Sequence, residues 1–247
     1  MTDHSRHKDD MISMDEHDVL QTLRKFSSPE NIEGMKRFGI NATNNLGISI
    51  VTLRKLAKKI GTDHALAQRL WDSGIHDARL LATIIDDPHL VTRQQMDRWA
   101  SQFDTWAICD QCCNNLFYKT PYAYDKAHQW CTSKKEYVKR AGFTIIAVLA
   151  VHDKNAADDR FISFFPLIRQ QANDNRNYVK KAINWALRQI GKRNTALNKK
   201  ALALAHDLKQ SGSSAARWIA SDAIRELTSD SVQHRLATKK KRIQKKV

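Results

Sequence analysis

The chain has 247 residues, 42% hydrophobic and 27% charged. That balance excludes a wholly disordered chain and leaves apolar material for one large or two small cores. Lys and Arg outnumber Asp and Glu by 41 to 26, a formal net charge of +15, and 8 Gly with 4 Pro exclude collagen-like and linker-dominated designs.

The polar start MTDHSRHKDD lacks the apolar core of a signal segment, and residues 1–13 read as a disordered end. Helical periodicity then follows in VLQTLRKF (19–26), SIVTLRKLAKKIG (49–61), ALAQRLWDSG (65–74) and DARLLATIID (77–86). Gly61 and Gly74 stand just past two of these segments, where helices end. TWAICDQCCNNLFY (105–118) reads as a further helix. Thr120-Pro121 reads as an N-cap followed by Pro at the first helical position. Ser133-Lys-Lys-Glu136 has capping-box spacing, which predicts a helix from 134 to Val151. Alternating apolar runs that would mark half-buried strands are lacking. No apolar run reaches the roughly 18 residues of a membrane span, so a cytoplasmic protein is expected.

The later helices repeat. YVKRAGFTIIAVL (137–149) aligns without gaps on YVKKAINWALRQI (178–190) at an offset of 41, and AARWIASDAIREL (215–227) follows at an offset of 37. Each copy follows another helix. A helical pair recurring at about 40 residues marks HEAT or armadillo arrays, which stack into a curved α-solenoid. The expected organisation is a single all-α HEAT-like-repeat domain over 14–237, ending in a basic disordered tail at 238–247.

The charge is uneven. Residues 1–132 carry 16 basic and 17 acidic side chains, residues 133–200 carry 15 and 5, residues 201–238 balance at 4 and 4, and KKKRIQKKV (239–247) adds six cations. A localised basic excess suits a polyanion, nucleic acid before anionic membrane. A solubilising surface with a solvated tail gives the same pattern.

Helix faces refine this. Over 178–191, Val179, Ala182, Ile183, Ala186 and Ile190 form the core side. Lys181, Trp185, Arg188 and Lys192 line another side, so Trp185 sits in a basic stripe. Such a stripe can neutralise phosphates while the ring contacts sugar or base. Equally, Trp185 can pack on the neighbouring repeat with Lys stems around it. In 105–118, Ile108, Cys109, Cys112 and Leu116 form the buried stripe, and Trp106 and Asp110 lie one turn apart on another flank. Asp110 reads either as a base or electrostatic stabiliser or as a solvated surface acid. Arg140 interrupts an otherwise apolar run and needs a carboxylate or phosphate partner. The spacing Cys109-x-x-Cys112 with His128-x-x-Cys131 approximates a zinc set, but two of the cysteines lie on an apolar stripe, where free Cys is a core residue. No metal or cofactor is expected.

The chain resembles the HEAT-like-repeat DNA alkylation-repair glycosylases, the AlkD family, from roughly Gly34 to Leu227. The resemblance rests on GMKRFGI, LGIS and LRKLAKKIG (34–61), LWDSGIHDARLLA (70–82), W-x-x-x-D (106–110), VKRAGF (138–143) and YVKKAINWALRQIGKRN (178–194). It implies a right-handed solenoid whose concave basic face cradles duplex DNA. It also implies excision of cationic N3- or N7-alkylated purines by a monomeric, cytoplasmic, nucleoid-associated enzyme. The carry-over makes Asp110 the catalytic carboxylate and places Trp106, Arg140 and Trp185 around the lesion. Phe38 stands where some members place a Tyr, and Thr105 where many have a second aromatic. Lys181, Arg188 and Lys192 would contact phosphate. The competing readings are a non-catalytic HEAT-repeat protein that binds bent or branched DNA, and a protein-binding scaffold.

Overall fold

A computed structural model describes residues 14–40 and 43–244, with side chains to 238. Among the described residues the regular structure is entirely helical. The helices gather into two compact units that divide at Thr120–Pro121, where the sequence reading has one domain over 14–237.

The first unit holds α1 (Glu16–Lys25), α2 (Pro29–Arg37), α3 (Ile50–Ile60), α4 (His64–Asp72), α5 (His76–Ile85), α6 (Arg93–Ser101), α7 (Trp106–Asn115) and a 3₁₀ turn (Phe117–Lys119). Helix α5 is its hub and packs on α3, α4 and α7. The core is aromatic. Trp71 and Trp99 stack with centroids 3.9 Å apart and planes 3° from parallel, Phe103 meets Trp71 edge-on at 6.2 Å, and Trp71 Nε1 donates to Gln102 at 2.5 Å. Offset aromatic pairs of this kind add to area burial. Side-chain caps open most of these helices: Asp15, Ser28, Ser49, Asp63, Thr92 and Thr105 each accept an N–H from the first turn, which satisfies donors the helix cannot.

The second unit holds α8 (Ala123–Trp130), α9 (Glu136–His152), α10 (Asp158–Ile162), α11 (Phe165–Gln171), α12 (Asn177–Gly191), α13 (Thr195–Lys209), α14 (Ser214–Leu227) and α15 (Asp230–Gln244). The three repeat copies are α9, α12 and α14. Helix α12 packs on both of the others. Every residue of α9 from Lys139 to Ala150 is buried, as befits a helix that is apolar nearly all round. Gly142 permits its close approach to α8: a Cβ there would lie 2.6 Å from the Cys131 amide nitrogen and 2.9 Å from the Trp130 carbonyl carbon. The five apolar residues expected on the α12 core face are all buried.

Three boundary expectations change. Thr120 does not cap α8. Its hydroxyl donates to the Phe117 carbonyl at 2.8 Å and closes the 3₁₀ turn, while α8 begins at Ala123 after Tyr122. Helix α9 starts at Glu136 rather than 134, because the Ser133 hydroxyl accepts from Lys135 N at 3.2 Å in a local turn instead of forming a capping box. Helix α15 runs to Gln244, through most of the stretch read as a disordered tail. Its lysines and arginine are good helix formers once Val232 and Leu236 anchor the first turns. Residues 1–13 and 245–247 of the expected ends lie outside the described residues.

Candidate functional site

In the first unit an open groove of about 1130 Å³ is lined by Phe38, Ile48, His76, Trp106, Asp110 and Asn114, among others. Local sequence explains each position. Phe38 is the C-cap of α2 and is 73% exposed. Trp106 is the first residue of α7, set by the Thr105 cap, whose hydroxyl accepts from Ile108 N at 3.3 Å. Trp106 Nε1 donates to the Phe38 carbonyl at 2.9 Å, so the groove's two aromatics are tied together across 68 residues of chain. Asp110 follows one turn after Trp106 and is half-buried. Its carbonyl accepts from Asn114 Nδ2 at 2.8 Å.

The groove wall is a clasped loop. Both oxygens of the fully buried Asp77 accept backbone N–H groups, from Leu46 at 2.6 Å and Ile48 at 2.8 Å. Asn31 Nδ2 donates to the Gly47 carbonyl at 3.0 Å, and the Asn45 side chain accepts from Gly47 N at 2.9 Å. Gly47 has φ +72°, and a Cβ there would lie 2.5 Å from the Ser28 carbonyl oxygen, so both backbone shape and space demand glycine. This accounts for LGIS and for the HD of LWDSGIHDARLLA: one is the wall and the other holds it.

The other expected site residues belong to the second unit. Arg140 is buried, and its Nη1 donates to the Tyr178 carbonyl at 2.6 Å; its guanidinium carbon lies 6.0 Å from the Tyr178 ring centroid. Among its partners is therefore a backbone oxygen, an alternative to the carboxylate or phosphate that periodicity suggested. Trp185 is half-buried, and with the Gln189 amide turned over, its oxygen would accept from Trp185 Nε1 at 2.9 Å and from Lys192 Nζ at 3.2 Å. Lys181 is exposed.

The rest of the basic stripe meets acids on α14. Arg188 pairs with Glu226 and approaches Asp222 at 3.6 Å, and Lys192 Nζ lies 2.6 Å from Glu226. Asp222 also accepts from Asn184 at 2.6 Å. Burial alone would raise the Glu226 carboxyl pKa; the Lys192 hydrogen bond and the charges of Arg188 and Lys192 outweigh it and hold the group below its ordinary value. The sequence reading passed over Asp222 and Glu226. Their signal was present as two acids one turn apart in the third repeat copy.

A second ionic cluster is structural. Lys139 donates to Gln171 at 2.7 Å and to Asp174 at 3.0 Å, and Arg176 grips the same carboxylate at 2.5 Å and the Lys134 carbonyl at 2.8 Å. The Arg176 hydrogen bond depresses the Asp174 pKa far below the carboxylate range. Arg193 and Asn194, in the quoted KRN, also hold the scaffold. Arg193 donates to the carbonyls of Ala150, Asp153 and Ala156 at the C-terminus of α9. Asn194 donates to Asp158 at 2.8 Å.

All four cysteines are buried and outside any disulfide, and burial raises the thiol pKa of Cys112 and of Cys131. His128 stacks on Phe164 at 4.5 Å, with Nε2 3.2 Å from the Ser163 hydroxyl. These are core and surface packing roles.

A family model described as DNA alkylation repair enzyme matches residues 19–227. The chain belongs to this family. As a DNA alkylation repair family member it shares its HEAT-like fold with a solved structure from a study of "a new family of proteins related to the HEAT-like repeat DNA glycosylases with affinity for branched DNA structures". That match has a TM-score of 0.72 at 21% identity and covers 86% of this chain and 95% of that one. Two curated Listeria proteins align over 139 residues: Uncharacterized protein Lin0241 of Listeria innocua at 27% identity and Uncharacterized protein Lmo0209 of Listeria monocytogenes at 26%. Each alignment takes in 55% of this chain and 61% of the relative, so the chain spans about three-fifths of the curated relatives it matches. No helix among the described residues is long and apolar enough to cross a membrane.

Proposed function

We propose that this family member is a monofunctional DNA glycosylase that releases cationic N3- or N7-alkylated purines from duplex DNA by hydrolysing the N-glycosidic bond. The observation that carries the reading is the groove that holds Asp110 beside Trp106 and the exposed Phe38. Alkylation makes the base a cation, and breaking its bond to the sugar lets it leave neutral. Positive charge then develops on the deoxyribose. A fixed carboxylate at Asp110 stabilises that charge and orients water on the sugar carbon, as acids do in glycoside hydrolysis. The face of Trp106 favours the cationic lesion and sugar, and Trp185 offers the DNA an aromatic face on the second unit. Phe38 supplies an apolar surface to the backbone beside the lesion. Lys181, with Arg188 and Lys192, meets phosphates; Arg140 holds the backbone that positions them. The reaction uses water and no cofactor, and the protein works as a monomer on cytoplasmic DNA.

The test is base release from a duplex containing N7-methylguanine under single-turnover conditions. Asp110→Asn is expected to slow release about 10²- to 10⁴-fold with duplex affinity little changed. Equal rates in wild type and Asp110→Asn remove Asp110 from the mechanism.

A second reading has its own support. The solved structure of matching fold comes from proteins described as having affinity for branched DNA. The chain would then bind bent or branched DNA without catalysis. Tight, salt-dependent binding of a four-way junction with no base release from any alkylated duplex selects this reading.

A further inference from the structure

The three repeat copies share a position that the proposed reaction leaves partly unused. Aligned on one another, they place Arg140, Lys181 and Trp218 in the same register. Arg140 is buried against a backbone carbonyl, Lys181 is exposed, and Trp218 on α14 is 40% exposed. Trp218 alone of the six tryptophans is exposed. Trp71, Trp99 and Trp130 are buried, and Trp106 and Trp185 are half-buried. A single apolar side chain in water is ordinary. What sets this one apart is the charge around it.

Lys180 reaches from α12 to α14 and holds its Nζ 5.3 Å from the Trp218 ring centroid. Lys181 follows it on α12, and the exposed Arg217 precedes the ring on α14. Arg217 is fixed there, its Nη1 donating to the Ser211 and Gly212 carbonyls at 2.9 and 2.8 Å. The surrounding chain offers these cations little counter-charge. No acid occurs over 175–206 or 208–221, and Asp207 between them pairs with Arg169. The next acid on α14, Asp222, is engaged by Asn184, Arg188 and Arg225. A ring face beside a cation suits a nucleotide, whose base lies on the indole while its phosphate meets the ammonium. In a duplex the base faces are stacked on one another and closed to a side chain. An open indole can therefore take only a base that has left the stack, at a strand end, a flap or a branch. An acidic peptide would satisfy the lysines and leave the ring without a partner.

We propose that Trp218 and Lys180 form a site for an unpaired nucleotide on the second unit, with the base on the Trp218 face and its phosphate on Lys180. The inference rests on the nucleic-acid reading of the basic helices above but not on excision. The experiment uses the full chain labelled with fluorotryptophan and titrated with an oligothymidylate strand, a blunt undamaged duplex and polyglutamate, followed by fluorine NMR. The Trp218 signal is assigned by its loss in Trp218→Phe. The expected result is a shift of that signal with the single strand and little shift with the blunt duplex or polyglutamate. Trp218→Ala should weaken single-strand binding about tenfold, the ordinary weight of one stacked base. Trp218→Phe, which keeps a ring, should recover most of it. Lys180→Ala should lower the salt slope of single-strand binding by about 0.7, one phosphate contact.

A Trp218 signal unmoved by the single strand overturns the proposal, as does full single-strand affinity in Trp218→Ala. An equal shift with the blunt duplex removes the unpaired nucleotide as the ligand, and an equal shift with polyglutamate gives the surface to an acidic polypeptide; either overturns the proposal. Should Trp218→Ala fail to fold, the wild-type signal and Lys180→Ala decide. Base release by the wild type is measured alongside. A wild type that releases no base yet shows the single-strand shift keeps this inference and removes the glycosylase reading. Base release with an unmoved Trp218 removes the inference alone.

Discussion

Asp77 commits both carboxylate oxygens to two backbone N–H groups about thirty residues away, and by doing so it shapes the wall of a groove it does not line. Asp77→Asn leaves one of those N–H groups facing an amide that cannot accept twice. It should cost about 1–3 kcal/mol, seen as a lower urea midpoint with unchanged slope, and it should slow base release by loosening Ile48. Trp106→Phe is milder. It keeps a ring in the groove but removes the N–H that Phe38 accepts, so release should fall about tenfold with the melting temperature nearly unchanged. At this scale the sequence was informative where a residue breaks a helical pattern, as Trp106, Asp110, Arg140 and Trp185 do. It was silent on Asp77. Its partners lie at long range, and a carboxylate that binds backbone has no periodic signature.

Between elements, the meeting of α12 with α14 decides how free the basic stripe is. Glu226 occupies Arg188 and Lys192 much as a phosphate oxygen would. Under the proposed function, Glu226→Gln removes the carboxylate that engages both cations and frees Lys192 most, because Arg188 stays 3.6 Å from Asp222. Duplex affinity should rise several-fold, and the slope of log affinity against log salt should steepen by about one. A lower melting temperature with an unchanged slope would instead assign Arg188 and Lys192 to holding α14. Asp174 gives a pH test. Its folded pKa lies below its unfolded value because Arg176 and Lys139 bind the charged form. The stabilisation is therefore complete above the ordinary carboxylate range and is lost as pH falls through and below it. Asp174→Asn should lower stability by about 2 kcal/mol at neutral pH and flatten the acid side of the stability profile. The periodicity of α12 predicted its core face residue by residue. It could not show that acids from the third repeat copy cover the opposite stripe, because a helical wheel describes one helix and not its neighbour.

For the chain as a whole, the repeat at offsets near 40 and the near-absence of strand patterns were enough to reach a HEAT-like all-helical fold. The helices that escaped individual assignment, such as α2 and α6, are short and polar: α2 has no fully buried residue, and α6 buries only one face. The division at Thr120–Pro121 was legible only as punctuation. Charge separates the parts again: the near-neutral stretch to residue 132 includes the groove, while the basic excess lies beyond it. Removing 239–247 takes away six cations and should lower the salt slope of duplex binding by up to about 5. The single-turnover rate at saturating enzyme should stay the same. A slower rate at saturation would mean that the terminal cations act on the bound lesion and not on capture alone.

The stacked indoles of Trp71 and Trp99 give the first unit an optical signature of its own. Two rings 3.9 Å apart and 3° from parallel couple their excited states, and such a pair yields a circular-dichroism couplet that vanishes when the rings separate. Both belong to the first unit, whereas Trp130, Trp185 and Trp218 belong to the second. Heating the protein while following the couplet alongside the helical signal therefore resolves whether the units melt together or in succession. Coincident curves mark one cooperative transition; an early loss of the couplet marks the groove-bearing unit as the one that opens first.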